Sequence, residues 1–227
     1  MKRLLRSLAL IGCLLLQMPA HSAAPEPAAD VFAHPATITA LRVALTPATR
    51  PLQGAQSIRG AYRQQKQLHE LPRPLSSSGR FLFLRDTGIA WTTIEPFASE
   101  LVITREHLIQ REGDNEVLVS AAQQPALQMV AEIFFAVFSL DFDTLESLFD
   151  LYGGANADGS WSLGLRPKQA AGSVVGIQIN GAAQVEQVLL TESSGDLTRI
   201  DLQQVQISQD APDAADRALF SSPPKHP

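Results

Sequence analysis

Residues able to carry reaction chemistry are scattered along this chain rather than gathered. His69 and His107 are the two histidines well inside the segment that reads as folded, and neither stands at a metal-ligand spacing from another histidine, a cysteine or a carboxylate. Ser76-Ser77-Ser78 supplies hydroxyls, yet no G-x-S-x-G elbow surrounds any serine, so the run reads as turn chemistry. Asp141 and Asp143 are close enough in sequence to serve as acid and base, but carboxylates beside a helix start more commonly act as caps. Glycine-rich phosphate loops are absent. The expectation is a protein with no catalytic residue, no metal and no cofactor.

Charge and targeting narrow the classes further. Lys2, Arg3 and Arg6 precede an apolar run from Leu8 to Leu16, and small residues from Ala20 to Ala24 offer cleavage sites, so residues 1–23 read as a signal peptide and the protein as exported. Residues 24–36, rich in Pro and Ala, read as a flexible leader. Removing the three basic residues from the 18 Lys+Arg leaves 15 against 23 Asp+Glu, a net charge of −8. That balance, with no basic run, excludes nucleic acid as a partner. Cys13 is the only cysteine and lies in the signal, so the mature chain forms no internal disulfide. Leu10-Ile11-Gly12-Cys13 also reads as a lipobox, which would acylate Cys13 and anchor the chain. The apolar run continuing through Leu14, Leu15 and Leu16 favours cleavage near Ala23 or Ala24 instead.

The element that constrains the fold is the stretch from Ala126 to Leu140. Met129, Val130, Ile133, Phe134, Val137 and Phe138 fall at helical spacing, and Leu127, Ala131 and Phe135 make the helix apolar nearly all round. It is shorter than the roughly 20 residues that cross a bilayer. It must therefore be covered by protein, and most of what surrounds it reads as strand. A curved sheet wrapped round an apolar helix is the expected solution.

Before it, Ile38 to Leu45 reads as a short helix capped by Thr37 and closed by Pro47, followed by a loop from Thr46 to Ser57. A strand begins at Ile58, with Ile58, Gly60 and Tyr62 on one face, and Leu71 to Ser78 reads as a connection because Pro72 and Pro74 lack ladder donors. Short strands follow at Gly79–Leu84, Gly88–Ile94, Glu100–Thr104, His107–Arg111 and Glu116–Ser120, an antiparallel meander. After the apolar helix, a second helix is expected from Thr144 to Tyr152, capped by Asp143, with Leu145, Leu148 and Phe149 on one face and Gly153-Gly154 ending it. Strands return at Trp161–Leu165, Val174–Ile179, Val185–Thr191 and Leu197–Ile207, the last with a bulge near Gln203-Gln204 where the apolar parity changes. Phe220 is expected to dock back on the sheet from a C-terminal loop.

Several short motifs now fall in a meaningful order. Tyr62-Arg63-Gln64, Gly79, Arg85-x5-Trp91-x4-Pro96, Leu101-Val102, the strand Trp161 to Lys168 ending in L-x-P-K, and Phe220 to Pro224 together resemble the LolA-like periplasmic carriers of outer-membrane lipoproteins. The resemblance implies a mainly β fold, an incomplete antiparallel barrel of about eleven strands whose hollow is covered by helices, occupying residues 37–222 as a single domain with 223–227 as a tail. It implies a periplasmic monomer whose cargo is the acyl chains of a lipoprotein, received from an inner-membrane ABC releasing complex and passed to an outer-membrane acceptor.

Under that resemblance the cavity and lid are formed by Phe81, Phe83, Trp91, Leu101, Ile103, Met129, Ile133, Phe134, Phe138, Leu145 and Phe149, and Arg85 is the lid latch. Phe81, Phe83 and Arg85 share strand parity, so a guanidinium in the hollow could be satisfied by carbonyls at a lid end, or it could turn to solvent. Asp86-Thr87 replaces the family's Pro-Asn, and Asp86 could pair with Arg85. This departure leaves room for two alternatives: a carrier of another lipid, such as a glycolipid or a polyene-type ester, served by a different exporter, or an anchored outer-membrane acceptor.

Overall fold

The computed structural model describes residues 31–52, 54–120, 135–169 and 173–221. Eleven strands form one antiparallel sheet: β1 (Ser57–Gln67), β2 (Leu75–Leu84), β3 (Gly88–Glu95), β4 (Ser99–Thr104), β5 (His107–Glu112), β6 (Asn115–Ser120), β7 (Phe149–Ala155), β8 (Trp161–Pro167), β9 (Val174–Gly181), β10 (Val185–Glu192) and β11 (Leu197–Ser208). Their order, β6-β5-β4-β3-β2-β1-β11-β10-β9-β8-β7, is two sequential meanders joined at a single seam, β1 against β11, with Ser57 opposite Ser208. The expected bulge is present: the register shifts between Arg59 and Ala61, and Gln204 takes a positive φ of 52°.

Laid flat, eleven strands about 4.8 Å apart would extend about 48 Å. The helices α1 (Ile38–Ala44), α2 (Thr46–Thr49), α3 (Phe142–Leu148) and α4 (Ala214–Ala218) are far shorter, α1 spanning only about 10 Å. Yet one contiguous core joins Phe81 and Ile103 of the first meander, Leu163 and Ile179 of the second, and Leu41 and Leu145 of α1 and α3. The sheet must curl round its helices to achieve this, and it stays open, with β6 and β7 as its ends. The expected incomplete barrel is the fold observed.

On the outer face a second cluster of Leu82, Leu84, Ala90, Val102 and Ile109 is covered by Phe220, which docks as expected. Arg111 secures that docking: it bridges Glu100 and Glu116 and donates to the carbonyls of Leu219 at 3.1 Å and Ser221 at 3.0 Å.

Several boundaries differ from the sequence reading. β2 starts at Leu75, so Ser76, Ser77 and Ser78 are ladder residues opposite Gln65, Gln64 and Arg63 rather than a turn, while Pro72 and Pro74 do stay outside the strand. The loop expected from Thr46 is helical through Leu52, because Pro47 opens α2 at a first-turn position instead of merely closing α1. The helix expected over Thr144–Tyr152 is α3, which is capped by Asp141 and stops at Leu148. Asp141 accepts from the Thr144 amide at 3.3 Å and hydroxyl at 2.8 Å, whereas Asp143 pairs with Arg42 at 2.6 Å and ties α3 to α1.

Phe149, Leu151 and Tyr152 are strand. Their alternation of buried and exposed positions was masked by Leu145 and Leu148 just before them, and Gly153-Gly154 lies inside β7 rather than ending a helix. Within the expected leader, Val31–Ala33 forms a 3-10 turn and Pro35 bridges Tyr152, because Gly164 leaves a niche where a Cβ would lie 2.9 Å from Val31 and 3.1 Å from Phe32. The expected signal peptide with Cys13, and Met129, Ile133 and Phe134 of the apolar helix, lie outside the described residues; of that helix, residues 135–139 are described and are helical.

Candidate functional site

The inner face of the sheet is read off its parity. In β2, Phe81 and Phe83 point inward while Leu82 and Leu84 point out; Ile89 and Trp91 of β3 and Ile103 of β4 follow the same alternation. Over them sit Phe135 and Phe138 from the helical residues 135–139. Phe138 stacks on Phe83 with ring centroids 5.5 Å apart and planes 16° from parallel, and meets Phe81 at 5.6 Å. Phe135 meets Phe83 edge-on at 5.6 Å. Phe81 continues to Trp91 at 5.9 Å, and Trp91 to Tyr62 at 4.1 Å. Six aromatic rings thus run unbroken from cover to wall, with the Arg105 guanidinium 4.6 Å from the Phe135 ring at the outer end.

All of the described residues expected to form the cavity and lid are brought together. Phe81, Phe83, Ile103, Leu145 and Phe149 are buried in the same cluster, with Trp91, Leu101 and Phe138 half-buried against it. Phe149 reaches it from β7 rather than from a helix.

Sequence reading missed the other wall. An apolar pocket of about 40 Å³, space for a few water-sized groups, lies between Ala48 and Leu52 of the N-terminal helical segment, Phe138, and Val185, Val205 and Ile207 of β10 and β11. The alternation in β11 held the signal, but the bulge broke it into two short halves. Beside this pocket Arg85 donates to the carbonyls of Ala55 through Nε and Leu52 through Nη2, each at 2.5 Å, and so is held inward rather than turned to solvent. It forms no ion pair with Asp86: the guanidinium's partners are backbone carbonyls.

The far end of the same inner face is polar. Tyr62, Gln64 and Lys66 alternate along β1 on one side, opposite Leu202, Ile200 and Thr198 of β11. The Tyr62 hydroxyl shares a 2.8 Å hydrogen bond with Thr93; burial pushes the phenol's pKa up against the opposing effect of its hydrogen bonds to Thr93 and Trp91. Lys66 donates to Glu192 at 2.8 Å, and Ser173 donates to the same carboxylate at 2.7 Å. Burial pushes the Glu192 carboxyl up, but these two bonds outweigh it and hold it below its ordinary value.

Among the described residues no group of three His, Cys, Asp or Glu could hold a metal ion, and no helix is long and apolar enough to cross a membrane. Asp141 and Asp143 are committed to a cap and an ion pair.

Against known proteins, the chain resembles a LolA superfamily protein from Nitrosomonas europaea (9% identity, TM-score 0.42, covering 77% of this chain and 97% of that one). It also resembles a DUF1329 family protein from Desulfovibrio piger (11%, TM-score 0.44, 80% and 99%). A chain of the Pseudomonas aeruginosa MucA/MucB complex aligns at 14% identity and TM-score 0.42, over 78% of this chain and 59% of that one. No curated protein matches. The family profile described as outer membrane lipoprotein carrier protein LolA matches residues 53–218, from just before β1 to the end of α4, and so takes in all eleven strands. The chain belongs to the LolA family.

Proposed function

We propose that this protein is a periplasmic, monomeric carrier that takes up the acyl chains of lipoproteins in the hollow of its open sheet. It receives them from an inner-membrane ABC releasing complex and delivers them to an outer-membrane acceptor. The observation that carries this reading is that, among the described residues, a large apolar inner face is covered by short helical pieces, α1, α2, α3 and residues 135–139, rather than by a second sheet. A cover of this kind can move aside without dismantling any strand pairing.

Magnitudes favour exchange. Phe135 and Phe138 contribute up to about 1.5–3 kcal/mol each by burial, with about 0.5–1.5 kcal/mol more per ring pair. Burying a C16 chain gains on the order of 12 kcal/mol, at about 0.8 kcal/mol per methylene. A guest outcompetes the cover, while the cover refilling the hollow lowers the net affinity to a level that permits release. Arg85 acts here as the latch: its two charged hydrogen bonds to Leu52 and Ala55 hold the N-terminal helical segment over the pocket.

A second reading is favoured by one observation. On the wall, Phe81, Trp91 and Tyr62 stack in series with planes 24° and 29° apart, a polarisable surface suited to a conjugated polyene-type chain carried for a different exporter.

Mass spectrometry of lipids extracted with protein purified from membranes tests both. Co-purifying saturated acyl species support the first reading and conjugated esters the second. A protein that carries no acyl species and fails to bind a hydrophobic dye is not a carrier.

A further inference from the structure

The inner face changes character along its length, and that gradient gives a guest a direction. At one end lies unfilled apolar space, the pocket between Leu52, Val205 and Ile207, shut by the Arg85 hydrogen bonds. In the middle, Val188, Ile200 and Leu202 form a half-buried apolar wall on neighbouring strands. At the other end the same strand faces present Gln64 and Lys66, with Glu192 and Ser173 beside them.

The geometry points to a head-group subsite at Lys66 and Glu192 that receives the ester or amide linkage of an acyl chain, while the terminal methyl seats in the pocket beside Ile207. This assignment rests on the carrier reading and adds to it a fixed orientation.

Two physical arguments support it. An ammonium has three protons, and Lys66 gives one to Glu192, so its remaining donors can meet an ester or amide carbonyl without breaking the ion pair. The pair is neutral as a unit, which favours an uncharged linkage over a free carboxylate that Glu192 would repel.

Length also fits. From Ile58, at the pocket, to Lys66 is eight residues of β1, or about 26 Å at about 3.3 Å each. An extended chain advances about 3.6 Å per three bonds, so this span accommodates about 20 bonds, close to one common acyl chain with its linkage. Among the described residues, Gln184 is the one polar side chain that lines the pocket, so a linkage seated there would forfeit most of its hydrogen bonds.

The test uses the 15N-labelled protein with the methyl esters of 5-doxyl and 16-doxyl stearic acid, whose nitroxides lie near the head and the tail. Expected is selective broadening of the Lys66, Thr198 and Glu192 amides by the 5-doxyl ester and of the Leu52 and Ile207 amides by the 16-doxyl ester. The double variant Lys66→Met, Glu192→Leu, which keeps the stems and removes the polar heads, is expected to bind the ester about tenfold more weakly and to lose the positional bias. Binding with a reversed pattern, with equal broadening at both ends, or with the double variant unchanged overturns the subsite while leaving the carrier reading intact. If neither ester binds, the carrier reading falls and the subsite with it.

Discussion

Phe83 on the wall and Phe138 on the cover stack nearly parallel, 16° apart in plane and 5.5 Å between centroids. This contact marks where cover and guest compete for the same surface. Phe138→Ala is expected to lower stability by about 1–3 kcal/mol, less than for a fully buried phenylalanine because Phe138 is half-buried, and at the same time to raise affinity for a hydrophobic dye. Urea unfolding and a fluorescence titration read the two effects. A variant that loses stability and dye binding together would show Phe138 to be ordinary core.

Arg85 donates to two carbonyls on one short segment, so its removal is expected to act locally. Arg85→Met should accelerate amide exchange over residues 48–56 while β8 and β9 keep their protection, with a stability loss of about 2–4 kcal/mol for two hydrogen bonds from a charged donor. Hydrogen exchange resolved by residue checks this, and uniform acceleration would contradict the latch.

Glu192 titrates below its ordinary value of 4.5 in the folded protein. The unfolded chain therefore takes up its proton first as pH falls, and the stabilisation present above 4.5 is lost as pH drops through the lowered folded value. Glu192→Gln should cost about 0.5–1 kcal/mol at neutral pH and flatten the acid side of the stability curve. Urea midpoints between about pH 3 and pH 7 compare the two proteins.

Tyr62 gives the opposite limb. Its phenol is raised above 10.0, so the unfolded chain deprotonates first as pH rises past that value, and stability is lost there. Tyr62→Phe removes this alkaline loss and costs about 1 kcal/mol at neutral pH, since Thr93 loses its buried partner. Thermal melts on the alkaline side measure the difference in slope.

The sequence revealed the first meander almost strand for strand, because turn signals such as Gly113-Asp114 sit between short runs of period two. It also located the aromatic wall, since Phe81, Phe83 and Trp91 obey that period without interruption. It hid β7, where Phe149 and Leu151 follow Leu145 and Leu148 so closely that helical and strand periods overlap. The half of the cavity formed by β10 and β11 was obscured by the bulge at Gln203-Gln204, which puts Leu202 and Val205 on one face despite their odd separation. The polar end was legible residue by residue but not as a group: Lys66 and Glu192 are 126 positions apart, and nothing local to either reveals the other.

That distance belongs to the seam itself. Every other pairing in the sheet is a hairpin between consecutive strands, whereas β1 waits for β11. Loop closure across so many residues is entropically slow, so each meander can fold locally soon after synthesis and the barrier rests on bringing the first strand to the last. The face that would hold a guest straddles this join. For the proposed carrier, the guest face is therefore complete only once β11 has paired with β1, so loading would follow the one long-range pairing of the sheet rather than precede it.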